Sequence, residues 1–196
     1  MGLAWTFKGL WPPLAVCLAI KLAGPVSAYG ALPSGSTPVP TEYQVKAAFL
    51  FNFAKFVEWP PGRFGGPNAP LVIGVLGEDP FGEALEQSIQ NKEIQGRPIE
   101  LRRLRAGEDL EACHVLFVSR SENARLGPIL GAVKNSAVLT VGEMEQFLEQ
   151  GGMINFFIEA ASVKFEINPK AAEQCGLKLS AKLLAVSRTA TTSTKR

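Results

Sequence analysis

The chain has 196 residues, of which 46% are hydrophobic and 19% charged, and 20 basic against 18 acidic side chains give a formal net charge of +2. That length and apolar content suit one folded domain with a substantial core. A nearly balanced charge without basic runs argues against nucleic acid or an anionic membrane as partner.

Residues 1–28 read as a secretory signal rather than as part of the fold. Lys8 supplies a short basic start, Leu10 to Ile20 is apolar though weakened by Pro12 and Pro13, and Val26-Ser27-Ala28 offers small residues for cleavage after Ala28. The run is too short to span a bilayer. Leu14-Ala15-Val16-Cys17 loosely resembles a lipobox, but Val16 is large for the position before the cysteine. Losing Lys8 and Lys21 would leave a neutral, soluble, exported chain, which in a bacterium means the periplasm. Residues 29–40, rich in Gly, Pro, Ser and Thr, read as a flexible leader.

From Glu42 to Pro60 the spacing predicts the longest and most apolar helix of the chain. At about 100° per residue, Val45, Phe49, Phe53, Phe56 and Val57 share one side, widened by Tyr43, Ala47, Leu50 and Ala54. A stripe that wide packs on a sheet or a second helix. Glu42 and Lys46 form a favourable pair four apart. Trp59-Pro60-Pro61 is the predicted stop. Phe51 and Trp59 fall among Gln44, Asn52, Lys55 and Glu58, on the side that should be wet. Either a neighbouring element covers them, or Phe51, Asn52, Lys55 and Trp59 form a contact surface for another protein.

Leu71 to Leu76 is a continuous apolar run, as expected of a central parallel strand. Asp79-Pro80 reads as a helix cap followed by a helix to about Ile89. The glycines around it lack the G-x-G-x-x-G order, and Glu78-Asp79 would repel a phosphate. Ile99 to Leu104 is a polar strand expected near an edge. Cys113 to Ser119 and Ala137 to Val141 are apolar strands, separated by a helix over 124–133. Glu143 to Gln150 reads as a short helix with Met144, Phe147 and Leu148 inward, stopped by Gly151-Gly152. Alternation in 154–159 and 163–167 predicts an antiparallel hairpin around Ala160-Ala161. Asn168-Pro169 starts a helix, Leu177 to Val186 forms a closing one, and a polar tail expected to be disordered follows over 189–196. The whole is an α/β fold: a single layered domain over 41–188, with a mixed, mainly parallel sheet of about six strands flanked by helices and a C-terminal antiparallel hairpin plus helix.

Candidate catalytic groups are sparse. His114 is the lone histidine and lies inside an apolar strand, where a structural role is commoner than catalysis. No second histidine completes a Ser-His or Cys-His pair with Ser119 or Cys113. One histidine and two separated cysteines do not make a zinc site. Glu143 and Glu145, two apart, would point to different sides of a helix. Cys113 and Cys175 are expected to be unpaired, since one opens a strand and the other ends a helix. The reading is of a non-enzymatic protein without catalytic residues, cofactor or metal.

Several segments together resemble the YfiR/HmsC-like family of periplasmic regulators: VKAAFLFNFAKFVEWP (45–60), IGVLGEDPFG (73–82), CHVLFVS (113–119), VLTVGE (138–143) and GGMINFFIEAASVKFEINPKAAEQCGLKLSAKLL (151–184). The resemblance implies repression of an inner-membrane diguanylate cyclase by contact with its periplasmic part. It also implies an outer-membrane lipoprotein that sequesters the regulator and so raises cyclic di-GMP and biofilm formation, and a homodimer. Where the best-known member carries two disulfides, two mature cysteines allow at most one. The alternative is a periplasmic sensor whose α/β domain binds a small ligand for a transporter, receptor or sensor kinase.

Overall fold

The computed structural model describes residues 39–189. The expected signal, nearly all of the leader and the tail beyond 189 lie outside the described residues.

The opening helix, α1, is Glu42–Lys55. Thr41 starts it with a capping box: its side chain accepts from the Gln44 N–H, and the Gln44 side chain accepts from the Thr41 N–H at 2.7 Å. Glu42 in the first turn and Lys55 in the last complement the helix dipole. The helix is shorter than the spacing predicts. Val57–Glu58 leave it as a strand, β1, which pairs antiparallel with Lys178–Leu179 near the C-terminus. Ser180 N–H also donates to the Phe56 carbonyl at 3.0 Å. Helical periodicity continues through these residues, but a distant strand captures their backbone, and β-branched Val57 suits it.

The remaining strands are β2 (Leu71–Leu76), β3 (Glu93–Ile94), β4 (Arg97–Leu104), β5 (Val115–Val118), β6 (Leu139–Gly142), β7 (Ile154–Glu159), β8 (Ser162–Ile167), β9 (Lys178–Leu179, the partner of β1) and β10 (Arg188–Thr189). The main sheet runs β10-β8-β7-β6-β5-β2-β4-β3. Its centre, from β4 through β7, is parallel, whereas β7–β8 and β3–β4 are antiparallel. The sheet is therefore mixed and mainly parallel, with eight strands where about six are expected. The short strands β3 and β10, of two residues each, lie at its two edges.

The helices are α2 (Glu83–Ile89), α3 (Leu126–Val133), α4 (Pro169–Gln174) and α5 (Ala181–Val186). Alternation along β2 assigns its two faces. Leu71, Ile73 and Val75 pack with Leu50 and Phe53 of α1 and Leu85 of α2. Val72 and Leu76 pack with Leu126 and Leu130 of α3. A parallel strand buried on both faces needs this continuous apolar run.

Three local expectations are corrected. Asp79 does not cap α2: its Oδ1 accepts from the Phe81 N–H at 2.8 Å, which closes a turn, and α2 begins after Gly82. Residues 143–150 do not form a helix; 145–150 are successive turns. Met144, Phe147 and Leu148 are nonetheless buried against Leu126 and Leu130 of α3, and the Phe147 ring occupies the space where a Cβ on Gly142 or Gly152 would stand. The closing helix begins only at Ala181, capped by Ser180, because 178–179 belong to β9. The hairpin forms where expected, with Glu159 opposite Ser162.

Candidate functional site

Open α/β sheets present ligands and partners at the carboxyl ends of parallel strands, next to the point where strand order reverses. Here the order reverses at β2, with β4 on one side and β5 on the other. That crevice is filled only in part: a cavity of about 450 Å³ beside it is lined by Leu76, the 106–111 loop, Glu122, Arg125 and Ile129. Gly77 at φ +91° leaves room only for the Ser121 hydroxyl and the Glu122 side chain, and Glu78 N–H donates to Ser121 Oγ at 3.0 Å.

One strand further, Arg120 follows β5 and Glu143 follows β6, and a buried charge network joins them to α1. The Glu143 side chain is 2% exposed and that of Lys46 1%. Lys46 Nζ donates to Glu143 Oε2 and to Glu42 Oε1. Tyr43 OH donates to Glu143 Oε1 at 3.1 Å, and Arg120 Nε lies 3.3 Å from the same oxygen. Burial first, then the Glu143 charge, pushes the Tyr43 phenol up to about 12, so it stays a donor. Sequence reasoning found the Glu42–Lys46 pair and missed Glu143, 97 residues from Lys46. A signal was present: Lys46, Leu50 and Phe53 follow the i, i+4, i+7 pattern, which places a lysine in the core-facing stripe.

Beside this network opens a groove of about 990 Å³ whose lining includes Glu145, Glu149, Glu166, Arg120 and Phe157. Its carboxylates outnumber its one guanidinium, so its field is negative. Asn155 at its wall is fully engaged, accepting from Met144 N–H at 3.1 Å and donating to Glu166 at 3.3 Å.

The predicted contact residues do not share one helical face. Phe51 is half-buried on α1 against the core, with Lys92 Nζ 4.8 Å from its ring centroid. Asn52 is half-buried and Lys55 exposed. Trp59 lies beyond the helix, after β1, half-buried against Phe64 and His114. His114 is buried, and Val72 N–H donates to its Nδ1 at 3.0 Å. Burial, helped by Arg63 and Arg97, pulls its pKa down to about 4, so the ring is neutral at physiological pH.

Neither Cys113 nor Cys175 is bonded to another cysteine. Cys113 is buried against Gly74, and burial pushes its thiol up to about 11. Cys175 is half-buried, its Sγ 2.8 Å from the Lys134 carbonyl.

The β10 edge of the sheet and the neighbouring β7–β8 hairpin present apolar side chains that sequence reasoning did not single out. Ile158 is 49% exposed and Val186 72%. A shallow groove of about 250 Å³ nearby is lined by Phe49, Phe157, Val163 and Val186. Arg188 crosses this edge, its guanidinium 4.8 Å from the Phe157 ring centroid and paired with Glu159. Among the described residues no helix is long and apolar enough to cross a membrane.

Comparison with known proteins finds a family model and proteins of similar fold. The family model described as YfiR/HmsC-like matches residues 43–188. A crystal structure of a conserved domain protein from Vibrio cholerae O1 biovar eltor is similar in fold, with a TM-score of 0.54 at 14% identity. The match covers 76% of this chain and 60% of that one. No curated protein sequence matches at a significant level.

Proposed function

We propose, because the chain belongs to the YfiR/HmsC-like family, that it restrains an inner-membrane signalling enzyme of the diguanylate cyclase type by direct contact with that enzyme's extracytoplasmic part. The family is one of periplasmic regulators. The observation that supports a contact role most directly is the apolar edge made by Ile158, Val186 and the half-buried Phe157. Exposed apolar side chains grouped around a groove suit a protein partner better than water. Phe51 and Trp59 are weaker anchors, since both already pack on the core. An outer-membrane lipoprotein that competes for this edge would relieve the restraint, and a homodimer would present two such edges.

The experiment is capture of membrane partners by purified wild-type protein beside Ile158→Asp and Val186→Asp. Both positions are exposed, so folding stability should stay within about 0.5 kcal/mol while capture of the cyclase is lost. Phe51→Ala and Trp59→Ala serve as the comparison and should cost about 2–4 kcal/mol in stability. Capture that survives both aspartate variants but fails in stable Phe51→Ala protein would move the contact to the opening helix.

A second reading, sensing of a small ligand, is favoured by one separate observation: the cavity of about 450 Å³ beside Leu76 and the 106–111 loop.

A further inference from the structure

Beyond the carboxyl ends of β4 and β5 the chain takes two different paths. β4 runs into the loop over 106–111, and β5 into a 3-10 helix, Arg120–Arg125, followed by α3. The space between these paths is a cavity of about 450 Å³, with Leu76, the last residue of β2, in its wall. It therefore lies where the strand order reverses, the place at which open α/β sheets take up small ligands, and its volume is in the range of such sites.

The wall combines two chemistries. Leu76, Leu110, Pro128, Ile129 and Ala132 make an aliphatic side, and no aromatic ring is among the lining residues. Four carboxylates, on Glu108, Asp109, Glu111 and Glu122, face one guanidinium, that of Arg125. Arg63 approaches Asp109 and Glu111 from outside the lining, and Arg102 approaches Asp109. Arg102 is itself paired with Glu100 at 2.6 Å. The balance at the cavity stays negative. Two of the acids already serve the loop: Glu108 Oε2 accepts from the Arg105 N–H at 2.8 Å, and Asp109 Oδ1 from the Glu111 N–H at 3.0 Å. These bonds shape the loop before any ligand arrives.

Glu122 has a different standing. It is only 6% exposed, yet it lines the cavity. Arg125 donates to its Oε2 at 2.5 Å, and among the described residues no donor reaches its Oε1. A carboxylate has room for about four hydrogen bonds, and leaving an enclosed one short of donors is costly.

We propose that this cavity binds a small primary ammonium ion with a compact apolar body. The ammonium donates to Glu122 Oε1, and the body lies against Leu110, Pro128 and Ile129. A quaternary ammonium does not suit the site, because it has no N–H to donate and is held by aromatic cages. An anion would meet charge of its own sign. The proposal rests on the small-ligand reading above and gives it a place and a chemistry.

The test is titration of the purified protein with benzylammonium chloride at constant ionic strength, read by the backbone amide NMR signals. Saturable shifts are expected at Leu76, Leu110 and Ile129. Glu122→Gln keeps the shape and removes the charged acceptor, so affinity should fall at least about tenfold. Ala132 is exposed, so Ala132→Trp fills the cavity from its rim without disturbing the core, and should abolish the shifts even if Glu122→Gln fails to fold. Tetramethylammonium should leave the signals unmoved. Absence of saturable shifts in folded wild-type protein would overturn the proposal, as would unchanged affinity in Ala132→Trp, or shifts confined to the acidic groove at Glu145, Glu149 and Glu166. Equal binding of benzyl alcohol or benzoate in the cavity would overturn the ammonium assignment and leave the small-ligand reading standing.

Discussion

Lys46 and Glu143 are the residues whose environment departs most from their type. Both are almost fully enclosed and each is bonded to the other. Breaking such a pair strands a buried charge, which costs about 3–5 kcal/mol, while removing both charges can be close to neutral. In Lys46→Met, Glu143 keeps Tyr43 and Arg120 as partners, so a loss of about 3 kcal/mol is expected in urea unfolding. Adding Glu143→Leu should restore much of it. Equal losses in the single and double variants would mean that packing, not charge, decides this site.

His114 gives a prediction in pH. Its pKa is about 4 in the folded protein and 6.5 in an unstructured chain. The unfolded state therefore binds the proton first. The contribution of His114 to stability is whole above pH 6.5 and is lost as pH falls from there toward 4, by about 3 kcal/mol in all. Stability measured across that window should show this slope, and His114→Asn should flatten it.

At the scale of elements, periodicity located the six longer strands and the five α-helices but not the two-residue strands β1, β3, β9 and β10, and tertiary pairing decided where several elements end. The run from Glu42 to Pro60 keeps a helical pattern, yet β1 leaves the helix at Val57 because β9 pairs with it. No residue near Val57 announces a partner so far along the chain. The stretch 143–150 has the inward pattern of a helix, but Phe147 lodges between Gly142 and Gly152 and fixes a series of turns. The hairpin was legible from alternation alone. Its turn chemistry was not, because Ala160 and Ala161 both adopt left-handed conformations, at φ 49° and 58°. Two-residue hairpins with both φ positive favour Asn-Gly, and alanine there costs roughly 1–2 kcal/mol per residue. Replacing Ala160-Ala161 by Asn-Gly should stabilise the protein by about 1 kcal/mol or more, read as a higher urea midpoint at unchanged slope. A lower midpoint would show that the alanines make contacts that outweigh their backbone strain.

At the scale of the whole molecule, the layered α/β class and the polar strand near one edge followed from residue patterns, since a strand covered on both faces is apolar throughout and an edge strand is not. The candidate surfaces were less legible. Phe51 and Trp59 attract notice as aromatics among polar residues, but α2 and the loop carrying Phe64 are separate elements, and no local spacing places them against α1 and β1. The apolar edge at Ile158 and Val186 joins a hairpin to a helix that are apart in sequence, so it exists only once the sheet is assembled.

The central claim is restraint of a membrane cyclase through that edge, and cellular cyclic di-GMP reports it most directly. The measurement compares cells lacking the protein with cells complemented by wild type or by Ile158→Asp, with equal export and folding verified. The account predicts a raised nucleotide level without the protein, restoration by wild type and no restoration by Ile158→Asp. A level unchanged by loss of the protein, or full restoration by Ile158→Asp, would contradict it.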